Sequence, residues 1–267
     1  MKRLAVLITT ILFSLLLVSC SSKDSDNYKT EKEIIKSYGY KELKVYQYTY
    51  NKVGEPDPKS KKLESQYTYD NEGNIVIEEF LGDNEYHIKA VYQYNNNGLV
   101  IEKQNFINDE LIYTTKCNHN DKGLFIEETL YDAQGELAYK FVYEYEAAET
   151  KGYTTKVYEY KYDFGEIDSK SKNLIKQYTY DDHGNIVEEN FWGRRRYYIG
   201  RIEKTVYKYN DKGFVIETQN FLVYYDNEEK LVFIFKHSHN DKGLLVEKTS
   251  YYAGDDKPKT KFVYEYK

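Results

Sequence analysis

Two short stretches carry residues whose types and spacing suit metal binding. Cys117-x-His119 and His237-x-His239 each place two potential ligands two positions apart. Because side chains alternate along a strand, both members of each pair would point to the same face. Thiolate and imidazole are ligands that Zn²⁺ accepts. In sister segments the same positions hold tyrosine, which favours variation in an aromatic stripe, so we expect no metal and no other cofactor.

A second candidate combines the single tryptophan of the chain with three consecutive arginines. The residues are Trp192, Arg194, Arg195, Arg196, Tyr197 and Tyr198. Aromatic rings offer apolar faces, and guanidinium groups form paired hydrogen bonds to carboxylates or phosphates. The matching stretch of the first half, 80–86, carries acidic residues instead of arginines. We interpret residues 192–198 as a candidate site for an anionic glycan or a lipid headgroup; a charged loop tip without a ligand is the alternative.

The sequence contains no recognisable catalytic motif. Gly-x-Ser-x-Gly, His-Glu-x-x-His, the phosphate-binding loop and the dinucleotide glycine pattern do not occur in it. Paired carboxylates such as Glu78-Glu79 and Glu188-Glu189 are interpreted as solvated strand faces. A net charge of −6 argues against a general nucleic-acid binder. We therefore predict a protein that is not an enzyme and does not bind nucleic acid.

These candidates are embedded in a repeated phrase that predicts β-hairpins. Its clearest copies are YTYDNEGNIVIEEF at 67–80 and YTYDDHGNIVEENF at 178–191. Each is an alternating strand, a four-residue polar turn closed by glycine, and a second strand. Asn or Asp at the first turn position and Gly at the fourth suit a type I turn followed by a bulge. Turns recur roughly every 12 residues, which is typical of an all-β meander.

The repeats are themselves duplicated. Residues 117–123 return at 237–243, and the segment FVYEY at 141–145 returns at 262–266. The 32 tyrosines can bury apolar area while their hydroxyls reach water, which fits a thin sheet and a mean hydropathy of −0.80. We predict an all-β antiparallel meander that forms one long twisted sheet or a solenoid-like strip. Its two halves are 41–150 and 151–267.

The start of the chain is typical of an export signal. Residues 1–19 contain two basic residues and then an apolar run too short for a membrane span. Leu17-Val18-Ser19-Cys20 resembles the lipobox of bacterial lipoproteins, and the resemblance implies cleavage before Cys20 and acylation of its thiol. The lipid would then hold the protein to a membrane, and 20–40 would be the lipidated cysteine followed by a polar tether.

The repeated phrase also resembles a known repeat family. Tyr67-Thr68-Tyr69-Asp70 with Gly73-Asn74, and the matching residues from Tyr178 to Asn185, resemble the YD repeat of bacterial RHS proteins and related surface lipoproteins. The resemblance extends loosely over 44–267. It implies a spiralling β-strip and says little about activity.

Together these patterns predict a lipid-anchored protein of the bacterial cell envelope, at the outer membrane or cell surface rather than the cytoplasmic membrane. Its β-repeat scaffold would present a surface to a protein or polysaccharide partner. The alternative is a purely structural spacer or assembly subunit of the envelope without a small ligand.

Overall fold

The computed structural model describes residues 30–81, 86–147, 152–163, 166–192, 202–223 and 228–267. Within them the chain forms one α-helix and a series of strands. The helix is α1 (Glu31–Tyr38), and the strands are β1 (Glu42–Thr49), β2 (Lys62–Tyr69), β3 (Ile75–Phe80), β4 (Ile88–Tyr94), β5 (Val100–Ile107), β6 (Glu110–His119), β7 (Phe125–Asp132), β8 (Leu137–Ala147), β9 (Tyr153–Asp163), β10 (Glu166–Ile167), β11 (Asn173–Tyr180), β12 (Ile186–Phe191), β13 (Ile202–Tyr209), β14 (Val215–Val223), β15 (Glu229–His239), β16 (Leu245–Tyr252) and β17 (Pro258–Tyr266). Short 3₁₀ turns at Pro58–Ser60 and Ser169–Ser171 precede β2 and β11.

The polar tetrapeptides form the hairpin turns that the sequence predicts. At the turn between β2 and β3, the Gly73 N–H donates to the Asp70 carbonyl at 3.2 Å. The Asp70 carboxylate accepts from the backbone N–H groups of Glu72 and Asn74 at 2.8 and 2.9 Å. Gly73 has φ +77°, a conformation that glycine adopts without steric cost. The same bonds recur at 95–98, 120–123, 181–184, 210–213 and 240–243.

The sheet closes on itself, and the predicted open strip or solenoid is wrong. β1 pairs antiparallel with β17 through seven residue pairs, from Leu43↔Tyr266 to Thr49↔Thr260. Of the described strands, sixteen form this ring of antiparallel neighbours, and the two-residue β10 pairs only with β9. Closure leaves neither end strand with an unpaired edge, whereas an open strip would expose one at each end.

The duplication explains why the ring closes. The first half supplies β1–β8 and the second supplies β9 and β11–β17. β8 meets β9 with Tyr143 opposite Val157, and β17 meets β1 with Tyr264 opposite Val45. These two junctions are equivalent in the duplicated sequence, so each half ends in a strand that fits the first strand of the other.

Alternation along the strands separates an inner from an outer face. The inner face carries Leu43, Val45, Tyr67 and Tyr69, which form a buried cluster at β1 and β2. The outer face carries lysine and glutamate side chains that form ion pairs along the wall. These pairs are Lys61–Glu265, Lys140–Glu127, Lys204–Glu188, Lys208–Glu217 and Lys261–Glu247, at 2.5–3.1 Å. The barrel therefore has a charged outer wall and an aromatic lumen.

Helix α1 lies against one end of the barrel, which we call the helix end. Thr30 and Glu33 form a capping box, and Gly39 ends the helix in the left-handed conformation. Ile34 and Ile35 are buried with Leu244 of the β15–β16 turn. The helix falls inside the segment 20–40 that the sequence analysis assigned to the tether. Among the described residues no helix is long and apolar enough to cross a membrane.

Candidate functional site

The lumen repeats one hydrogen-bonding unit, built from a glutamate on one strand and a Tyr-x-Tyr pair on the next. The Tyr92 hydroxyl donates to Glu78 at 2.7 Å, and the Tyr143 hydroxyl donates to Glu128 at 2.8 Å. The Tyr207 hydroxyl donates to Glu189 at 3.1 Å. In each unit the second tyrosine, two residues on, donates to a backbone carbonyl of the glutamate's strand. The repeated phrase thus encodes a Tyr–Glu clasp inside the barrel.

Two of these glutamates are buried almost completely. Glu78 and Glu128 are 2% and 5% exposed, and burial raises the pKa of both carboxyls. The tyrosine hydrogen bonds, together with the charge of Lys103, oppose that rise. Burial lowers the pKa of Lys103, and the two carboxylates raise it. The first half therefore holds a compact group of two acids around one base in a water-poor interior.

The second half holds a different set of inner charges. Lys176 lies 2.5 Å from Glu189 and donates to the Tyr178 hydroxyl at 2.9 Å. Lys248 points inward from β16, because it lies opposite Phe262, which packs against the cluster of Leu43 and Val45. Its ammonium group lies 4.3 Å from the centre of the Phe235 ring. Among the described residues no carboxylate pairs with Lys248.

Two buried polar atoms of the inner face have no hydrogen-bond partner among the described residues. They are Glu78 Oε1 and Asn105 Oδ1. Glu78 and Asn105 both lie opposite Ala90, the small inner residue of the intervening strand β4. Buried acceptors of this kind cost free energy unless water or a ligand donates to them. They mark the lumen as a polar interior rather than a fully apolar core.

The two candidate pairs of metal ligands do not come together. Cys117 and His119 lie on β6, and His237 and His239 lie on β15, eight strands away in either direction around the ring. The Cys117 thiol is buried and lies 4.0 Å from a Glu128 oxygen, and burial raises its pKa. The His237 ring contacts the Thr218 hydroxyl at 3.2 Å, and burial next to Lys248 lowers its pKa to about 3. A four-ligand site shared by the two pairs is excluded by this distance.

Other side chains with ligand atoms gather only at an exposed turn. In the described parts of the chain, Asp181, Asp182 and His183 form the single group of three potential ligands. The Asp181 carboxylate already accepts from the backbone N–H groups of His183 and Asn185 at 2.9 and 2.8 Å. The group belongs to the hairpin turn and supplies no metal centre by itself.

An open cleft of about 660 Å³ lies at the helix end of the first half. It runs between the turns at 95–98 and 120–123 and includes Leu99, Cys117 and His119. The His119 ring packs against the Phe125 ring at a tilt of 39°, with 4.3 Å between the centres. The cleft is shallow and polar at its rim, and it holds one of the predicted pairs of side chains.

The predicted aromatic and arginine stretch lies mostly outside the described residues. Arg194, Arg195, Arg196, Tyr197 and Tyr198 all fall in the undescribed range 193–201. Trp192 ends the preceding described range, and its backbone N–H donates to the Ile175 carbonyl at 2.8 Å. It is half-buried at the end of the barrel opposite α1, which we call the far end. The binding role of this stretch stays a prediction.

Comparison with known proteins gives a distant structural likeness. No protein-family model matches the chain, and no curated protein matches it. Among solved structures, the chain is similar to a porin-like protein from Bacteroides uniformis, with 9% identity and a TM-score of 0.40. The match covers 85% of this chain and 96% of that one. A likeness this distant does not bear on function, so function is argued from the lumen and the walls.

The inner glutamates are the site residues that sequence reasoning missed. Glu78-Glu79 and Glu188-Glu189 were interpreted as wet faces, yet neighbouring residues of a strand point to opposite faces. Glu79 and Glu188 face outward, whereas Glu78 and Glu189 receive tyrosine hydroxyls in the lumen. The signal was present in the spacing, because each inner glutamate precedes a Tyr-x-Tyr pair by 14–18 residues.

Proposed function

We propose that this chain is a lipid-anchored binding protein of the bacterial cell envelope whose barrel stands in water beside the membrane. The charged outer wall carries this proposal. Barrels that span a bilayer present an apolar band outward, and a paired Lys–Glu wall would be costly to desolvate there. Ion pairs on this wall join β12 to β13 through Lys204–Glu188, β13 to β14 through Lys208–Glu217, and β16 to β17 through Lys261–Glu247. Such a wall suits solvent rather than lipid.

The segment that would carry the anchor precedes the helix end. The described chain begins at Thr30, immediately before α1, and α1 packs on the turn at 240–244 and on β2. A lipid on Cys20 and the tether after it would therefore hold the helix end toward the membrane. The far end, where Trp192 lies, would point away and meet a protein or polysaccharide partner.

The experiment is a membrane fractionation of cells that produce the protein or its Cys20→Ala variant. The proposal expects the wild type in the membrane fraction. Detergent should release it, and a high-salt wash should leave it on the membrane. It expects the variant to leave the membrane, while Cys117→Ser, which alters the other cysteine, stays bound. Release of the wild type by salt alone, or retention of Cys20→Ala, contradicts the anchor.

A second measurement separates a water-exposed barrel from a membrane pore. The purified protein is added to planar lipid bilayers, and we expect no stepwise conductance. Reproducible conductance steps would contradict the assignment of the charged wall to solvent. Binding of a partner at the far end is followed through Trp192, the single tryptophan, whose fluorescence reports directly on that region.

A further inference from the structure

The inner wall formed by β14, β15 and β16 differs from its duplicate in charge and in shape. Residues 237–243 repeat 117–123 at a fixed offset, so Lys248 takes the place of Glu128 in the duplicated sequence. Phe235 takes the place of Thr115, and His237 that of Cys117. The first copy closes on itself through the clasp between Tyr143 and Glu128. The second copy has Lys248 where the first has the acid Glu128, and the Phe235 ring where the first has Thr115.

Lys248 is the inner cation without a carboxylate partner in the described chain. Lys176 pairs with Glu189, and Lys103 lies near Glu78 and Glu128. The groups around Lys248 are the neutral His237 ring across β15, Phe235 and, on β17, Phe262. Burial without a counter-charge lowers the pKa of Lys248. An unpaired ammonium in such surroundings favours the arrival of an anion.

Large apolar side chains lie beside this lysine and remain accessible. Phe233 and Tyr252 lie opposite each other on β15 and β16, with 5.1 Å between ring centres. Phe233 is in step with Phe235 along β15, and Tyr252 is in step with Lys248 along β16, so both alternate onto the inner face. They are nevertheless 37% and 51% exposed. Both rings therefore reach solvent at the far end of the lumen.

We propose that the inner wall around Lys248, Phe235, Phe233 and Tyr252 binds a small amphipathic monocarboxylate, with the carboxylate on the lysine and the apolar body against the rings. Phe235 lies one inward-facing pair along from the Lys248–His237 pair, and Phe233 and Tyr252 lie one such pair further. Tyr252 is therefore about 13 Å from Lys248 along β16, and a ligand with an extended apolar chain reaches both the cation and the rings. The duplicate wall of the first half has Glu128 in place of the lysine and does not offer this pairing. The inference goes beyond the proposed envelope function and is independent of the anchor.

The test uses titration calorimetry with dodecanoate and 2-naphthoate, an aliphatic and an aromatic probe of the same charge. The protein is prepared without residues 1–20, since every described contact lies within 30–267. Wild-type protein is expected to bind at least one probe with one-to-one stoichiometry. Lys248→Met is expected to weaken that binding at least about tenfold, as loss of a partly desolvated ion pair does. Dodecanol, which lacks the charge, should bind both proteins alike.

Lys236→Met is the matched control, because Lys236 lies on the outer wall with its ammonium group 5.1 Å from the Tyr251 ring. It removes the same charge from the same strand pair and should leave dodecanoate binding unchanged. If circular dichroism shows that Lys248→Met does not fold, the proposal is tested on the wild-type protein by comparing probes of opposite charge. Dodecanoate should then bind at least about tenfold more tightly than dodecylammonium. No binding of either carboxylate, equal weakening by both lysine variants, or preference for the ammonium overturns the proposal.

Discussion

Replacing Tyr92 by Phe removes one hydroxyl from the lumen and tests whether the Tyr–Glu clasp stabilises the barrel. The hydroxyl donates to Glu78 at 2.7 Å, and Glu78 is 2% exposed. The other carboxylate oxygen of Glu78 has no partner among the described residues. The variant keeps the ring and its packing, so the change isolates the hydrogen bond to a buried acid.

The expected loss follows from the charge of the acceptor. A hydrogen bond to a charged group contributes about 1.5–3 kcal/mol, so the free energy of unfolding should fall by about that amount at pH 7. For a chain of this size the midpoint of thermal unfolding should fall by about 2–4 °C per kcal/mol. Burial raises the pKa of Glu78, and the Tyr92 hydrogen bond opposes that rise. Because lowering the pH protonates this carboxyl, the loss should be smaller at pH 4 than at pH 7 and should approach about 0.5–1.5 kcal/mol, the contribution of a hydrogen bond between neutral groups.

Urea unfolding followed by circular dichroism at pH 7 and pH 4 measures both quantities. Tyr131→Phe is the control, because Tyr131 faces outward, with the Lys116 ammonium group 5.1 Å from its ring. The control should change the free energy of unfolding by less than about 0.5 kcal/mol. Equal effects of the two substitutions, or a Tyr92→Phe loss that does not depend on pH, would refute the clasp as a source of stability.

Three further predictions address the helix contact, the ring closure and the inner histidine. Gly73→Ala should destabilise the protein more than Gly213→Ala in urea unfolding. Both glycines have φ near +77°, so the backbone strain is the same. An added Cβ at Gly73 would lie 2.6 Å from the Lys32 carbonyl oxygen of α1, whereas at Gly213 it meets open space. Tyr46→Cys combined with Val263→Cys should form an intramolecular disulfide on oxidation, seen as a mobility shift, because the two residues are opposite in β1 and β17; Tyr46→Cys with Val142→Cys should not. His237, with its pKa lowered to about 3, stays neutral in the folded protein between about pH 6.5 and pH 5, while the unfolded chain binds a proton there. The free energy of unfolding therefore falls over this range, and His237→Gln should reduce that fall by up to about 2 kcal/mol. An unchanged pH profile of the free energy of unfolding would contradict this.

The local structure could be predicted from the sequence because it depends on short-range chemistry. The Asn- or Asp-to-Gly tetrapeptides fix type I turns with a bulge, and Gly98, Gly123 and Gly243 all have positive φ in the structure. The strands between them follow from alternation and from their Tyr, Val and Ile content. Helix α1 carried a weaker signal, a Thr30–Glu33 capping box in a polar segment, and was read as tether.

The site could be predicted only in part, since its residues are distant in sequence. The Tyr-x-Tyr pairs were recognised as structural stripes, but their glutamate partners lie a strand away. The candidate ligand pairs, Cys117 with His119 and His237 with His239, occupy equivalent positions in the repeats. Equivalent positions of a twofold duplication in a ring lie opposite each other, which separates them as far as the barrel allows.

Closure could not be predicted from the strand rhythm, because the same rhythm fits an open sheet and a ring. A meander whose first and last strands differ would leave two edges, and an open strip is then the natural expectation. Here the same junction is used twice, once between β8 and β9 and once between β17 and β1. If the last strand of a half can pair with the first strand of its copy, duplicating that half gives a ring. No strand in such a ring needs to be adapted to an exposed sheet edge. The two halves were then free to diverge inside that ring, which is how Glu128 of one wall and Lys248 of the other come to face a common lumen.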